Sequence, residues 1–399
     1  MEFNFQAYLS LLYPSTTYHI SPLTGGLVNF TVRARRANAG SSSPSLPNSP
    51  QTSLILKYAP PYIAAVGASA PFPQARQTVE ATVLKLFYNP TSEHHQQNEA
   101  PLAFLANGSN PQADGAVSIP RLIVHDTTSN VLILEDLGDD LITLWDLFKN
   151  PNPNPDPTAT SPSAPAHPLR DRCANMGFRL GLFFRNLHSA ATLTRILTAV
   201  SDRDRATLES TLTREVVRDA AVRPILPRLQ QWAGLGDDGT ARRLYARVEA
   251  DFERGDGGAY GGEACLSMGD LHPGSVLVRR QPDARGEVVA VIDWEFATLQ
   301  NGRGANGDMA QFLANMHVLM LSLPPGAVVR EAVEAFVREM CRAYAERWGG
   351  DVIVPRKGLC AREKSALGIL RSALILFGRE TINQAVERRW EGGGCQSRE

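Results

Sequence analysis

The sequence predicts a two-lobed α+β fold, and three observations carry that reading. Up to residue 136, short runs rich in β-branched and aromatic residues alternate with turns around one helical period. Beyond residue 168 the apolar spacing lengthens to that of amphipathic helices. One pair of short strands, within 265–297, interrupts the helical part. The expected division is a β-rich N-lobe, 1–136, with one helix, and a mainly helical C-lobe, 137–399, carrying the hairpin 265–297.

Taken in order, Phe30–Ala34 and Ser53–Tyr58 read as a hairpin whose loop is enlarged by residues 38–51, NAGSSSPSLPNSPQ. A helix is expected over Ala75–Phe87, and strands over Arg121–His125 and Val131–Leu134 with the turn Asp126–Asn130 between them. Residues 150–168 are again rich in Pro, Ser and Asn. Neither this segment nor 38–51 holds enough apolar surface to offset its ordering entropy, so both read as flexible insertions. Asp171–Ala190 then places Met176, Leu180, Phe183, Phe184 and Leu187 on one helical face, which reads as core. Arg203–Leu229, Gly239–Phe252, Arg330–Arg347 and Arg362–Arg388 are similarly amphipathic, while Val276–Arg279 and Val288–Asp293 read as strands joined by residues 280–286.

Length and composition narrow the function. The 399 residues are 43% hydrophobic, enough for a large core, which excludes disorder throughout. With 40 Lys+Arg against 41 Asp+Glu, the net charge of -1 leaves no electrostatic footprint for a polyanion, so neither nucleic acid nor an anionic membrane is expected as the main partner. The most apolar stretches, Gln311–Leu323 and Ser365–Phe377, contain Gln, Asn, His or Arg and fall short of a membrane span, so a soluble protein is expected. The N-terminal MEFNFQAYLSLLYPS lacks the basic region of a signal peptide, which makes a cytoplasmic location the expectation. Five cysteines, Cys173, Cys265, Cys341, Cys360 and Cys395, show no Cys-x-x-Cys pair and read as reduced thiols.

The chemistry concentrates in Met268-Gly-Asp-Leu-His-Pro-Gly-Ser-Val-Leu-Val and, after the hairpin turn, Val291-Ile-Asp-Trp-Glu-Phe-Ala. A carboxylate in a Gly/Pro-shaped loop before one strand, and another leaving the next, puts Asp270 and Asp293 on one edge of a hairpin. There one can orient a hydroxyl while the other holds a metal, as phosphoryl transfer requires. Upstream, Leu23-Thr-Gly-Gly-Leu-Val-Asn-Phe puts Gly25 and Gly26 at a strand turn ahead of Asn29, where backbone N–H groups can approach phosphates.

These residues resemble the aminoglycoside phosphotransferase and choline kinase branch of the protein-kinase-like fold, whose loop reads roughly His-Gly-Asp-x-His-x-x-Asn and whose metal strand reads Ile-Asp. The resemblance implies ATP and Mg²⁺ as cofactors, Asp270 as the catalytic-loop aspartate and Asp293 as a metal ligand. It implies Lys57 on the α and β phosphates, Glu80 as the lysine's partner, and Glu135, Asp136 and Leu137 as the hinge that receives adenine. Gly25, Gly26 and Asn29 complete the nucleotide side. Asp308, in Gly307-Asp-Met-Ala, would brace the catalytic loop, and His272 would shape it through a hydrogen bond. His188 reads as a satisfied core or capping histidine.

Two positions depart from the pattern: Met268 stands for the usual His, and Ser275 for the metal-binding Asn. The second metal contact is then either Ser275 or Glu295. Gly269–Ser275, Ile292–Ala297 and Lys57–Gly67 are also similar to methylthioribose kinases, in which Glu295 would join Asp293. The activity implied is transfer of phosphate from ATP to a hydroxyl of a small molecule: methylthioribose, another sugar, an amino alcohol or an aminoglycoside. No Asp-Phe-Gly to Ala-Pro-Glu segment follows Asp293, so a protein substrate is not expected, and residues 171–261 would wall off a compact acceptor pocket. The alternative, motivated by Met268 and Ser275, is a nucleotide-binding module that has lost catalysis.

Overall fold

The computed structural model describes residues 3–24, 26–37, 52–88, 100–106, 117–149, 168–232, 239–254, 264–281, 286–299, 304–345 and 361–387. Gly25, Cys360, Cys395 and both expected insertions apart from Pro168 lie outside the described residues.

Strands β1 (Tyr18–Pro22), β2 (Phe30–Arg36), β3 (Ser53–Tyr58), β4 (Leu122–Asp126) and β5 (Val131–Glu135) make one antiparallel sheet in the order β1-β2-β3-β5-β4. Side chains alternate across a strand. Leu54 and Leu56 therefore share one face with Val32, Ala34, Val131 and Ile133, where Tyr8 and Leu9 of helix α1 (Phe5–Leu12) cover them. Ile55, Leu132 and Leu134 face the opposite way, into the main core with α2 (Arg76–Phe87). Lys57 has the same parity as Ile55, which is how a buried lysine comes to lie beside α2. Helix α1 is an addition to the one helix expected in this lobe. Asn4 caps it by accepting from the Ala7 amide at 2.9 Å, but eight residues form a stable helix only by docking their apolar face.

The expected hairpin is a three-stranded sheet, β6 (Leu141–Thr143), β7 (Val276–Arg279) and β8 (Val289–Val291). Strand β6 is too short for its pattern to show in sequence, and its partner is far along the chain. Helices α3 (Leu144–Lys149), α4 (Pro168–Leu187), α5 (Ala190–Ala199), α6 (Asp202–Leu208), α7 (Leu212–Val217), α8 (Ile225–Trp232), α9 (Thr240–Arg254), α10 (Gly304–Ser322), α11 (Val328–Ala345) and α12 (Ala361–Glu387) complete the described fold. The helix expected over 203–229 is broken into α6, α7, a π-type turn at Arg218–Val222 and α8. Ser201 caps α6 through the Asp204 amide, and Pro227 is tolerated because it falls in the first turn of α8, where N–H groups have no helical partner.

Helices α4 and α11 touch backbone to backbone. A Cβ on Gly177 would sit 2.1 Å from the Phe336 carbonyl oxygen, and one on Gly181 2.3 Å from that of Met340. The main core runs without interruption from Val83 and Phe87 of α2 through Trp294 to Phe183 and Phe336, so the two lobes are fastened together under the hairpin. No described helix is long and apolar enough to cross a membrane. Among the described residues, Cys173, Cys265 and Cys341 form no disulfide.

Candidate active site

The sheet and the hairpin meet at Lys57. Its ammonium donates to both oxygens of Glu80, at 2.8 and 2.7 Å, and to Asp293 Oδ1 at 2.8 Å. Lys57 comes from β3, Glu80 from α2 and Asp293 from the chain leaving β8, so one side chain joins both lobes. Burial by itself would depress the ammonium, but Asp293, Glu80 and Glu295 outweigh it and hold Lys57 above its usual range. Asp293 adopts a φ of 65°, which few non-glycine residues do, and its carboxylate stays 39% exposed while Lys57 and Glu80 are buried. The Ile292 amide donates to the Ser275 carbonyl at 3.0 Å, fastening this turn to the loop that carries Asp270.

Glu295 is buried next to this cluster. Asn29 Nδ2 donates to its Oε2 at 2.5 Å, and Arg76 Nε lies 3.8 Å from the same oxygen. Burial, reinforced by Glu80 and Asp293 and opposed by Lys57, pushes the Glu295 carboxyl up to about 7. Asn29 is thus turned inward, to Glu295 and Arg76. Gly26 is exposed, and a Cβ there would make only ordinary contacts, the nearest at 3.5 Å from the Asn29 carbonyl oxygen.

The loop bearing Asp270 is held through its backbone. Fully buried Asp308, on α10, accepts from the Met268 amide at 2.7 Å and the Gly269 amide at 2.8 Å, and its Oδ2 is 3.1 Å from His188 Nε2. The other nitrogen of His188 reaches the Tyr344 hydroxyl at 3.0 Å, so this histidine is a buried brace. Gly269 has φ +83°, and a Cβ would lie 2.2 Å from the Phe296 carbonyl oxygen, so only glycine lets the loop approach the segment after Asp293 this closely. His272 Nδ1 accepts from the Gly274 amide at 3.0 Å, while the Ser275 hydroxyl donates to the His272 carbonyl at 2.7 Å and accepts from its amide at 3.2 Å. Ser275 is wholly buried in that turn. Asp270 remains half-exposed: Gln311 Nε2 donates to its Oδ1, and His272 Nε2 is 3.9 Å from its Oδ2.

At residues 135–137, expected as the hinge, the carboxylates are engaged in structure. Glu135 accepts from the Arg121 side chain at 3.2 Å. Asp136 accepts from Arg33 Nη2 at 2.9 Å, from the Ser53 hydroxyl at 2.5 Å and from the Gly138 amide at 3.1 Å. Leu137 is half-buried beside them. Any base edge bound here would be met by backbone groups, since both side chains are taken.

Two residues at the site escape the motif reading, Arg76 and Gln311. Each had a positional signal: Arg76 stands four residues before Glu80 on α2, and Gln311 three after Asp308 on α10, spacings that share a helix face.

A β-rich lobe joined through the buried Lys57 to Asp293 of a helical lobe that carries an aspartate loop is the architecture of a two-lobed, kinase-like fold. Residues 112–301 match the model of the phosphotransferase enzyme family, APH. No curated protein matches the chain. Among solved structures, the chain is similar to a macrolide 2'-phosphotransferase type I at 16% identity, over 97% of this chain and 92% of that one, with a TM-score of 0.42. It is similar to a choline kinase from Cryptosporidium parvum at 13% identity, over 93% and 91%, with a TM-score of 0.34. The third is a putative fructosamine-3-kinase from Thermobifida fusca at 14% identity, over 94% and 99%, with a TM-score of 0.35.

Proposed function

We propose that the protein transfers the γ-phosphoryl group of ATP to a hydroxyl of a small molecule. The observation that carries the reading is the Lys57 bridge from Glu80 to Asp293, set at the edge of the same hairpin whose loop presents Asp270. Lys57 is charged, fixed by two carboxylates and placed where exchanging the Asp293 contact for phosphate oxygens keeps its charge paired.

The residues present fit Mg²⁺. Glu80, Asp293 and Glu295 supply three carboxylates against Lys57 and Arg76, and Glu295, pushed up first by burial and further by Glu80 and Asp293, is a carboxyl that a divalent cation would hold ionised. Asp293 and Glu295 would hold the ion, with phosphate oxygens and water supplying other positions, as Mg²⁺ prefers. Ser275 is a weaker candidate because its hydroxyl serves the His272 backbone. When bound, Mg²⁺ neutralises charge on the transferred group.

Asp270 then works on the acceptor. With Oδ1 taken by Gln311, Oδ2 is the oxygen that orients the acceptor hydroxyl and receives its proton late in transfer. Because His272 Nδ1 accepts from Gly274, the proton of the neutral ring sits on Nε2, a donor beside the same oxygen. The motif similarity to methylthioribose kinases favours a sugar hydroxyl as acceptor. The test is transfer of labelled γ-phosphate over a panel of sugars, methylthioribose, amino alcohols and aminoglycosides. A labelled product is expected with at least one; binding of Mg·ATP with transfer to none would instead establish a nucleotide-binding module.

A further inference from the structure

Arg76 belongs to none of the motifs behind the phosphotransferase reading, yet it has no exposed surface and makes six hydrogen bonds. Its guanidinium donates to Asn29 Oδ1 through Nε and Nη2, at 3.2 and 3.0 Å, and to the Val28 carbonyl at 3.2 Å. The remaining bonds go to the carbonyls of Pro60 at 3.0 Å, Phe72 at 3.2 Å and Pro73 at 2.9 Å. The guanidinium also lies over the Phe72 ring, 4.5 Å from its centre, and Phe72 stacks on Phe296, the residue after Glu295. Three pieces of chain thus converge on one side chain: the turn at residues 26–29, the connector from β3 to α2, and the segment after Asp293. The turn is sewn to the connector a second time, since the Ala64 and Ala65 amides donate to the Val28 and Leu27 carbonyls at 3.2 and 2.9 Å.

Asn29 is the adaptor. Its oxygen is occupied by Arg76, which leaves its amide nitrogen to donate to Glu295. We propose that Arg76 is a positioning residue that, through Asn29, holds the turn at residues 26–29 beside the phosphate site and against Glu295, so that turn and metal-side carboxylate move as one unit. The proposal rests on the phosphotransferase reading for what the turn adjoins, but the linkage is a property of the protein without ligand. Positive charge alone would not join these pieces, because the carbonyls lie in several directions that the five planar donors of a guanidinium can serve and a lysine ammonium largely cannot.

The experiment compares full-length wild type with Arg76→Lys and Asn29→Ala, the second a small change that spares the buried charge. Amide exchange is read at Ala64 and Ala65 in ligand-free protein, and kcat and KM for Mg·ATP are read separately. Both variants are expected to exchange these two amides about tenfold faster or more and to raise KM about tenfold, with kcat changed less, as the loss of a charge-assisted hydrogen bond implies. A purely structural role would lower the melting temperature and leave KM of the folded fraction unchanged, which overturns the proposal, as does wild-type exchange at Ala64 and Ala65 in Asn29→Ala. Should wild type transfer phosphate to no acceptor, the phosphotransferase reading fails, while the exchange comparison still decides the linkage.

Discussion

The two sides of the candidate site are built differently. On the side proposed to bind nucleotide, Lys57, Glu80, Glu295 and Arg76 are buried and held to one another by charge, with Asp293 half-exposed at their edge. On the side proposed to meet the acceptor, Asp270 and His272 are half-exposed, and what is buried is their support: Asp308 on two backbone amides, Ser275 inside its turn, and glycine at 269. The first arrangement concentrates interaction in side chains whose loss leaves unpaired charge in a low dielectric. The second keeps the reacting carboxylate in reach of a solute and fixes it through the main chain. Substitutions at the two sides should therefore fail in different ways.

The largest effect is expected at Asp270. Asp270→Asn should lower turnover by about 10²–10⁴, the range for a positioned acid or base, while ATP affinity by calorimetry stays nearly unchanged. Equal loss of rate and affinity would erase the distinction between the sides. Next is Lys57→Met, which strips the shared counter-ion from Glu80 and Asp293. Stability should fall by about 3–5 kcal/mol in denaturant unfolding, and nucleotide binding should weaken with it.

Asp308→Ala removes the acceptor of the Met268 and Gly269 amides. Leaving those donors buried without partners should cost about 2–4 kcal/mol in stability, and the folded fraction should lose turnover without losing nucleotide affinity. The smallest effect separates the two candidates for the second metal contact. Glu295→Gln should raise the Mg²⁺ concentration needed for half-maximal activity markedly. Ser275→Ala should shift it little and cost about 1 kcal/mol for its lost hydrogen bonds. The opposite ranking would move the metal contact from the charged side of the candidate site to the catalytic loop.

Residues whose role depends on local chain geometry were legible in the sequence. The strand at Ser53–Tyr58 could be read with Lys57 near its end, and a Gly/Pro-shaped loop before a short strand marked Asp270. Elements that depend on distant partners were not. Strand β6 is three residues that pair with a strand over a hundred positions later, and α1 becomes a helix by docking Tyr8 and Leu9 on the sheet. The amphipathic pattern over 203–229 gave one helix where the fold has several, because periodicity reports which face is apolar and not where the axis turns.

Among the site residues, the sequence by itself determined the chemical inventory: Lys57, Glu80, Asp270, Asp293, Glu295 and Asp308, in order along an α+β chain. Tertiary structure decided how that inventory is connected. Arg76 reads in sequence as one more arginine on a helix, and Gln311 as a polar interruption in an apolar run. Asn29 reads as a loop residue over phosphates, yet its side chain joins Arg76 to Glu295, which lies 266 positions away. The reason is physical: motif and periodicity encode neighbours within a few residues, whereas a hydrogen bond between two lobes exists only once burial has removed the water that would otherwise satisfy both partners.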